Sequence, residues 1–143
     1  MKAKQLTSSG GPSHALIFET GDEVITGLTD FATREEIEAA HFTAIGAFSS
    51  AVLAYFDWET KDYVKIPLGE QVEVLILAGD IALKDGKPVV HAHVVLGRRD
   101  GTTRGGHLLS AQVRPTLEVA LTTGGALRKR FDPVSGLALI AAD

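Results

Sequence analysis

Alternating apolar and polar residues in the second half of the chain predict antiparallel strands. The segment Val72–Leu83 alternates with a period of two, as a strand does when successive side chains point to opposite faces. Val89–Gly97 shows the same pattern. Between them, Lys84–Lys87 contains the Asp-Gly pair that is typical of a tight hairpin turn. We therefore expect the two segments to pair as a hairpin.

Further strands are predicted by runs of β-branched and aromatic residues that are separated by turn residues. They are His14–Glu19, Ala44–Phe56, Tyr63–Leu68, Arg104–Ser110, Gln112–Thr123, and a last hairpin of Leu127–Phe131 with Leu137–Ile140. The turns between most of these strands are short, and short turns join antiparallel neighbours.

The segment Asp22–Phe31 is the strongest helical pattern, because its apolar residues recur at intervals of three and four. We expect Asp22 to be the N-cap of this helix. Thr33 and Glu36 have the spacing of a capping box, which predicts a second short helix from Arg34 to about Ala40.

Together these elements predict an α+β fold in a single domain. We expect a curled antiparallel sheet of about seven strands, with one or two short helices covering one face. Residues 1–12 end in a run of Ser, Gly and Pro and are expected to be a flexible lead-in, and residues 13–143 are expected to form the domain.

The composition fits a folded domain and narrows the chemistry that is open to it. The chain has 143 residues, of which 45% are hydrophobic and 22% are charged, so a disordered chain is excluded. It has no cysteine, which excludes disulfides and thiolate metal sites. Any metal would therefore need histidine or carboxylate ligands.

The charge argues against a surface that binds nucleic acid directly. The formal net charge is −4, whereas such surfaces are basic. Two basic trios occur, and each is expected to be a solvated loop: Arg98, Arg99 and Arg104, and then Arg128, Lys129 and Arg130. No run is long enough to span a membrane, and Met1–Ser9 has no apolar segment of the signal-peptide kind, so we expect a cytoplasmic protein.

Two histidines share one face of a predicted strand. In Val89–Gly97 the side chains of His91 and His93 fall on the same side, and the other side is wholly apolar. The spacing lets two imidazoles reach one ion. A third histidine, His107, follows the next turn, Arg99–Thr102.

Whether His107 joins them depends on the length of that turn. If Asp100-Gly101 is a two-residue loop, His107 faces Val94 and points away from His93. If the loop has three residues, with Gly101 in the left-handed conformation, His107 lies opposite His93.

A bulge at Gly105-Gly106 would also bring His107 to the face of His93. We favour the register that joins the three histidines, although the residues leave both registers open. Three neutral imidazoles with an open fourth position are the ligand set of a catalytic zinc ion, which can acidify a bound water or polarise a carbonyl. The alternative is that they are three polar residues on a solvated or interfacial strand face.

Ordered sequence blocks over about 15–122 resemble the plants-and-prokaryotes-conserved (PPC) domain. The last of them are the most specific. The blocks are Ala44–Ser49, Ala54–Asp57 with Tyr63, Val72–Leu75, Gly79–Ile81, His91–Val94, Asp100-Gly101 and Gly105–Leu109.

The resemblance implies a homotrimer and a fold similar to acetolactate decarboxylase, a zinc enzyme whose metal is held by histidines. It also implies a metal site at His91, His93 and His107, with zinc or another divalent transition metal as the cofactor. In plants the domain is attached to AT-hook DNA-binding motifs. This chain has no Arg-Gly-Arg-Pro motif, so DNA is a weakly supported partner.

Two functions follow as hypotheses. The first is an oligomeric interaction or regulatory module, and the second is a zinc-dependent enzyme or binder acting on a small carbonyl or carboxylate compound. Arg104 is a candidate to hold a small anionic ligand. The other candidates to assist chemistry, each with a structural role as the alternative, are Tyr55, Asp57, Glu73 and Glu118.

Overall fold

The computed structural model describes residues 1–6 and 13–142 and contains nine strands and one helix in that part of the chain. The elements are β1 (Lys2–Leu6), β2 (Ser13–Glu19), α1 (Val24–Arg34), β3 (Ala39–Asp57), β4 (Asp62–Leu68), β5 (Val72–Lys84), β6 (Lys87–Gly97), β7 (Thr103–Thr123), β8 (Arg128–Asp132) and β9 (Leu137–Ala141). The predicted α+β class is confirmed.

The sheet curls until four of its strands form a closed ring. Strand β3 pairs with β5 and β7, and β6 pairs with the same two strands from the other side. The long strands β3 and β7 bend at bulges, which increase the local twist and allow this closure. Outside the ring, β2 and β1 extend from β7, β4 pairs with β3, and the β8–β9 hairpin follows β5.

Helix α1 covers one face of the sheet with its apolar side. Val24, Leu28, Phe31 and Ala32 are buried there, at the intervals that place side chains on one side of a helix. The core beneath includes buried phenylalanines from β2 and β3. No helix in the described part of the chain is long and apolar enough to cross a membrane.

The expected second helix, Arg34–Ala40, is wrong, because Thr33 belongs to the last turn of α1. Glu36 has a φ of +52°, and the amide of Ile37 donates to the carbonyl of Ala32 at 2.9 Å. This is a helix-terminating motif that usually contains glycine. The Thr-x-x-Glu pattern that suggests a helix start therefore lies at a helix end, and β3 begins at Ala39.

The expected N-cap is also wrong by one residue. The carboxylate of Glu23, and not that of Asp22, accepts hydrogen bonds from the amides of Ile25 and Thr26. Asp22 instead accepts from the amide of Glu19 and pairs with the N-terminal amine at 2.6 Å.

The flexible lead-in expected over residues 1–12 is corrected for its first part. Lys2–Leu6 is a strand that pairs antiparallel with β2. Residues 7–12 lie outside the described residues. The sheet has nine strands rather than about seven, and one of its pairings, Leu83 with Arg128, is parallel.

Candidate metal centre

Strands β6 and β7 bring the three histidines to one place. His93 and His107 are direct register partners, and His91 lies two residues before His93 on the same face. The amide of Arg98 donates to the carbonyl of Thr102 at 2.8 Å, and Gly101 has a φ of +80°. The loop is therefore the three-residue form, which confirms the register that we favoured.

The alternative, a bulge at Gly105-Gly106, does not occur in the pairing of β6 with β7. Gly105 and Gly106 pair in unbroken register with Val95 and Val94. Gly106 has a different role, because a Cβ at this position would lie 2.8 Å from the carbonyl oxygen of Ala54 on β3. Its lack of a side chain lets β3 and β7 approach closely beside His107.

The three imidazoles surround a common point. Their ring centroids are 5.0 Å apart for His91 and His93, 5.2 Å for His91 and His107, and 5.5 Å for His93 and His107. One ligand nitrogen from each lies within 4.8 Å of the other two. Among the described residues, this is the group of histidine and carboxylate side chains whose geometry suits a metal ion.

The environment keeps two of the three imidazoles neutral. Burial, followed by the neighbouring His91, lowers the pKa of His93. Burial also lowers the pKa of His107 to about 4, with further contributions from His91, His93 and Lys129. A neutral imidazole has a free lone pair, so these two side chains are ready to bind a metal at neutral pH.

His107 also has an unused polar atom. Its Nδ1 is buried and has no hydrogen-bond partner among the described residues. A buried nitrogen without a partner is costly, and coordination to an ion would remove that cost. The donor set and this atom together fit a transition metal such as zinc.

A carboxylate and a lysine lie behind His91. Asp80 is the register partner of His91 on β5, and its Oδ2 lies 3.3 Å from His91 Nδ1. The other oxygen, Oδ1, lies 3.4 Å from Nζ of Lys129. That distance is an ion pair, but the two atoms do not form a hydrogen bond, since Oδ1 has no hydrogen-bond partner. A carboxylate behind a histidine ligand fixes the tautomer and orientation of the ring.

The histidines open into a cleft of about 720 Å³. Tyr63 lies on one side, with its ring stacked on that of His107 at 4.9 Å between centroids. The remaining lining comes mostly from apolar residues of β3, β6 and β9. Such a cleft can hold a small molecule next to the three imidazoles.

The residues proposed to assist chemistry are only partly at this site. Tyr55 lines the cleft. Asp57 caps a turn, accepting from the amides of Glu59 and Thr60. The other three, Glu73, Arg104 and Glu118, are outside the lining of the cleft.

No sequence pattern marks Tyr63, Asp80 or Lys129 as a site residue. Tyr63 and Asp80 belong to the blocks that carry the family resemblance, and this was a usable signal. The basic run predicts a solvated side chain at Lys129, and this prediction is wrong, because the side chain is only 7% exposed. In the other trio, Arg98 donates to Glu70 at 2.8 Å.

Solved structures with similar folds include archaeal proteins. A metal-containing protein from Archaeoglobus fulgidus is 41% identical, with a TM-score of 0.85 over 92% of this chain and 94% of that one. A plant- and prokaryote-conserved (PPC) protein from Pyrococcus horikoshii is 32% identical, with a TM-score of 0.86 over 99% and 95% of the two chains.

A bacterial structure and a more distant one extend this group. A candidate DNA-binding protein from Ralstonia eutropha JMP134 is 28% identical, with a TM-score of 0.88 over 98% of this chain and 96% of that one. A Staphylococcus aureus protein similar to alpha-acetolactate decarboxylase has a TM-score of 0.55 at 11% identity, covering 78% of this chain and 52% of that one, so it shares the fold alone.

Sequence relatives point to the same domain. The chain is 33% identical over 122 residues to the bifunctional protein GlmU of a Synechococcus strain. The match covers 81% of this chain but only 18% of that protein. The model of the Plants and Prokaryotes Conserved (PCC) domain, the family also written PPC, matches residues 5–124. The chain therefore belongs to the Plants and Prokaryotes Conserved domain family.

Proposed function

We propose that this protein is a metal-binding PCC-domain module in which His91, His93 and His107 hold one divalent transition metal ion. Zinc is the metal that we propose first. The observation that carries the proposal is the convergence of three imidazoles around one point beside a buried, unpartnered nitrogen of His107. A relative that is 41% identical is named as a metal-containing protein, which supports it.

The chain leaves room for a ligand at the metal. Three protein ligands leave the fourth position of a tetrahedral ion open, and a bound ion would act there as a Lewis acid. Of the three histidines, His93 is the most exposed, and all three line the cleft. The first function that this supports is reversible binding of a small molecule by a regulatory or interaction module.

A second candidate function is an enzyme that acts on a small carbonyl or carboxylate compound. The observation in its favour is that Tyr63 and Lys129, two side chains able to donate a proton or a hydrogen bond, line the cleft with the histidines. Zinc-loaded protein would be assayed against a panel of small oxo and hydroxy acids. Turnover that is lost in His93→Ala would support the enzyme, and absence of turnover with intact ligand binding would favour the binding module.

We infer that any nucleic-acid role runs through a partner protein. The net charge is −4, Arg98 is paired with Glu70, and Lys129 is buried, so neither basic trio forms a continuous patch. Fluorescence anisotropy with labelled duplex DNA at low salt tests this inference. Binding that weakens steeply with salt would overturn it, because that is the signature of direct phosphate contacts.

We also propose that the protein is a homotrimer, as the family resemblance implies. Four large apolar side chains are exposed where the bulges of β3 and β5 face each other: Ile45, Leu75, Ile76 and Val95. Exposed apolar clusters of this kind mark interfaces. Light scattering should give about three times the 15.2 kDa of one chain, and Leu75→Glu should lower that mass. A monomer at micromolar concentration would contradict the trimer.

A further inference from the structure

The C-terminal hairpin β8–β9 forms one wall of the cleft. It lies beyond residues 5–124, which the family model matches. Five of its residues line the cleft: Lys129, Leu137, Ala138, Leu139 and Ile140. The hairpin therefore adds one charged group and several apolar groups to a site whose histidines come from the shared domain.

Lys129 is the charged group, and its side chain is largely buried. Its side chain is 7% exposed, and its Nζ forms an ion pair with Asp80 Oδ1 at 3.4 Å. No hydrogen bond joins those two atoms. An ammonium has three N–H donors, and one ion pair does not occupy all of them. Lys129 lines the cleft together with the histidines, so its charge is available to a ligand there.

The charges at the floor of the cleft favour an anion. The three imidazoles are neutral ligands, a divalent ion adds two positive charges, and Lys129 adds one. Lys84, which also lines the cleft, adds another. Asp80 supplies one negative charge; it contacts His91 and Lys129 and is outside the lining of the cleft. The sum is positive, so an anionic group that reaches both the open metal position and Lys129 would be stabilised by both.

The walls favour an apolar body attached to that anion. Leu137, Leu139 and Ile140 face the cleft from β9, and Val89 and Val90 face it from β6. A fully hydrated anion such as inorganic phosphate gains nothing from these surfaces, whereas an alkyl or aryl group is removed from water there.

We propose that the β8–β9 hairpin selects the ligand of this site, and that the ligand is a small organic monocarboxylate with its carboxylate at the metal and Lys129 and its apolar part against β9. The inference rests on the proposed metal centre. Lys129 positions the carboxylate. The residues of β9 contact the apolar part, so that affinity depends on its length. Removing either contact should have a distinct effect on affinity.

The test uses the full chain loaded with Co²⁺, whose visible absorption changes when its coordination changes. Acetate, butyrate, hexanoate and inorganic phosphate are titrated into the protein. Affinity should rise by roughly two- to fourfold per added methylene group, the range for partial to full burial of a methylene. Phosphate should bind more weakly than hexanoate.

Two variants separate the contacts. Lys129→Met, which keeps the apolar stem of the side chain, should weaken every carboxylate by roughly tenfold, the loss of one charge-assisted contact. Lys65→Met, at an exposed position on β4, should change nothing. Leu139→Ala, at a half-exposed position, should leave acetate unchanged and flatten the rise with chain length.

The outcomes distinguish this inference from the proposed function. Protein that binds no Co²⁺ would overturn the metal centre and the inference together. Protein that binds Co²⁺, but holds hexanoate no better than acetate or phosphate, would overturn the inference alone. The same holds if Lys129→Met binds carboxylates as tightly as Lys65→Met. Co²⁺ affinity in Lys129→Met should be undiminished, because the removed charge repels the ion; a loss of metal would show that Lys129 is structural and would also overturn the inference.

Discussion

Asp80 Oδ2 lies 3.3 Å from His91 Nδ1, and the two residues are register partners on β5 and β6. A contact at this nitrogen leaves Nε2 of His91 as the atom that can bind a metal. The register that places His91 beside Asp80 is set by the Asp85-Gly86 hairpin, where Lys84 pairs with Lys87. The position of the carboxylate is therefore fixed by the backbone.

The first prediction concerns this carboxylate. Asp80→Asn should weaken zinc binding by roughly 10- to 100-fold, because the ring of His91 loses the charged partner that orients it. The affinity is measured by competition with a chromophoric chelator. Asp30→Asn, an exposed position on α1, is the matched control and should bind zinc like the unaltered protein. Equal affinities in the two variants would show that Asp80 does not support the site.

The second prediction concerns the loop that sets the register of His93 and His107. Gly101 has a φ of +80°, which side chains disfavour, so Gly101→Ala should lower the free energy of unfolding by about 1 kcal/mol. Gly69→Ala is the control, because Gly69 has neither a positive φ nor an atom within 4 Å of an added Cβ. Urea unfolding measures both. If both variants were equally stable, the left-handed conformation at Gly101 would be wrong.

Part of the histidine site could be predicted from the sequence alone, and part could not. The period of two in β6 placed His91 and His93 on one face, and that follows from strand geometry alone. The partner of His93 depended on one loop residue, and two loop lengths were compatible with the same residues. The pairing of Arg98 with Thr102 decides between them, because Gly101 has a positive φ in both loop forms.

Other parts of the site depend on contacts that no local pattern shows. Lys129 follows Arg128 and precedes Arg130, and nothing in that run indicates that the middle side chain is buried against Asp80. The prediction of a second helix after α1 is wrong for a related reason. Glu36 occupies a left-handed position that glycine usually fills, so the sequence looked like a helix start.

The third prediction concerns the start of α1. The carboxylate of Glu23 accepts from the amides of Ile25 and Thr26 and also from Ala111 on β7 at 3.0 Å. Glu23→Ala should therefore lower the free energy of unfolding by about 1–2 kcal/mol. Glu118→Ala, at an exposed position on β7, should change it by less than about 0.5 kcal/mol. A Glu23 variant as stable as the control would contradict this capping role.

The same carboxylate gives a pH dependence. Burial alone would raise the pKa of Glu23, but the hydrogen bonds from Thr26, Ala111 and Ile25 outweigh it and the pKa is lowered from 4.5. A lowered folded pKa means that the stabilisation is present above about pH 4.5 and is lost as the pH falls through the folded value. The stability difference between unaltered protein and Glu23→Ala should therefore shrink on acidification below pH 4.5.

The fourth prediction concerns His107 in the metal-free protein. Its pKa in the folded state is about 4, against 6.5 ordinarily, so between these values the unfolded chain binds more protons than the folded one. Stability should therefore fall as the pH falls from 6.5 towards 4. In a fully buried group, a pKa lowered this far would cost more of the free energy of unfolding. Because His107 is partly exposed to solvent, we expect a loss of about 1–2 kcal/mol.

The contribution of His107 is isolated by comparing variants. Thermal unfolding at pH 7 and pH 5 is measured for chelator-treated protein, His107→Gln and His41→Gln, where His41 is exposed on β3. The His107 variant should lose less stability between the two pH values than the other two proteins. The same loss in all three would contradict the lowered pKa.

The most direct test of the central claim is the zinc content of protein that carries no histidine tag and has been supplemented with zinc and then desalted. We expect about one equivalent per chain, with less than about a tenth in His93→Ala and an unchanged content in His41→Ala. Less than a tenth of an equivalent in the unaltered protein, or the same content in all three, would contradict the metal centre.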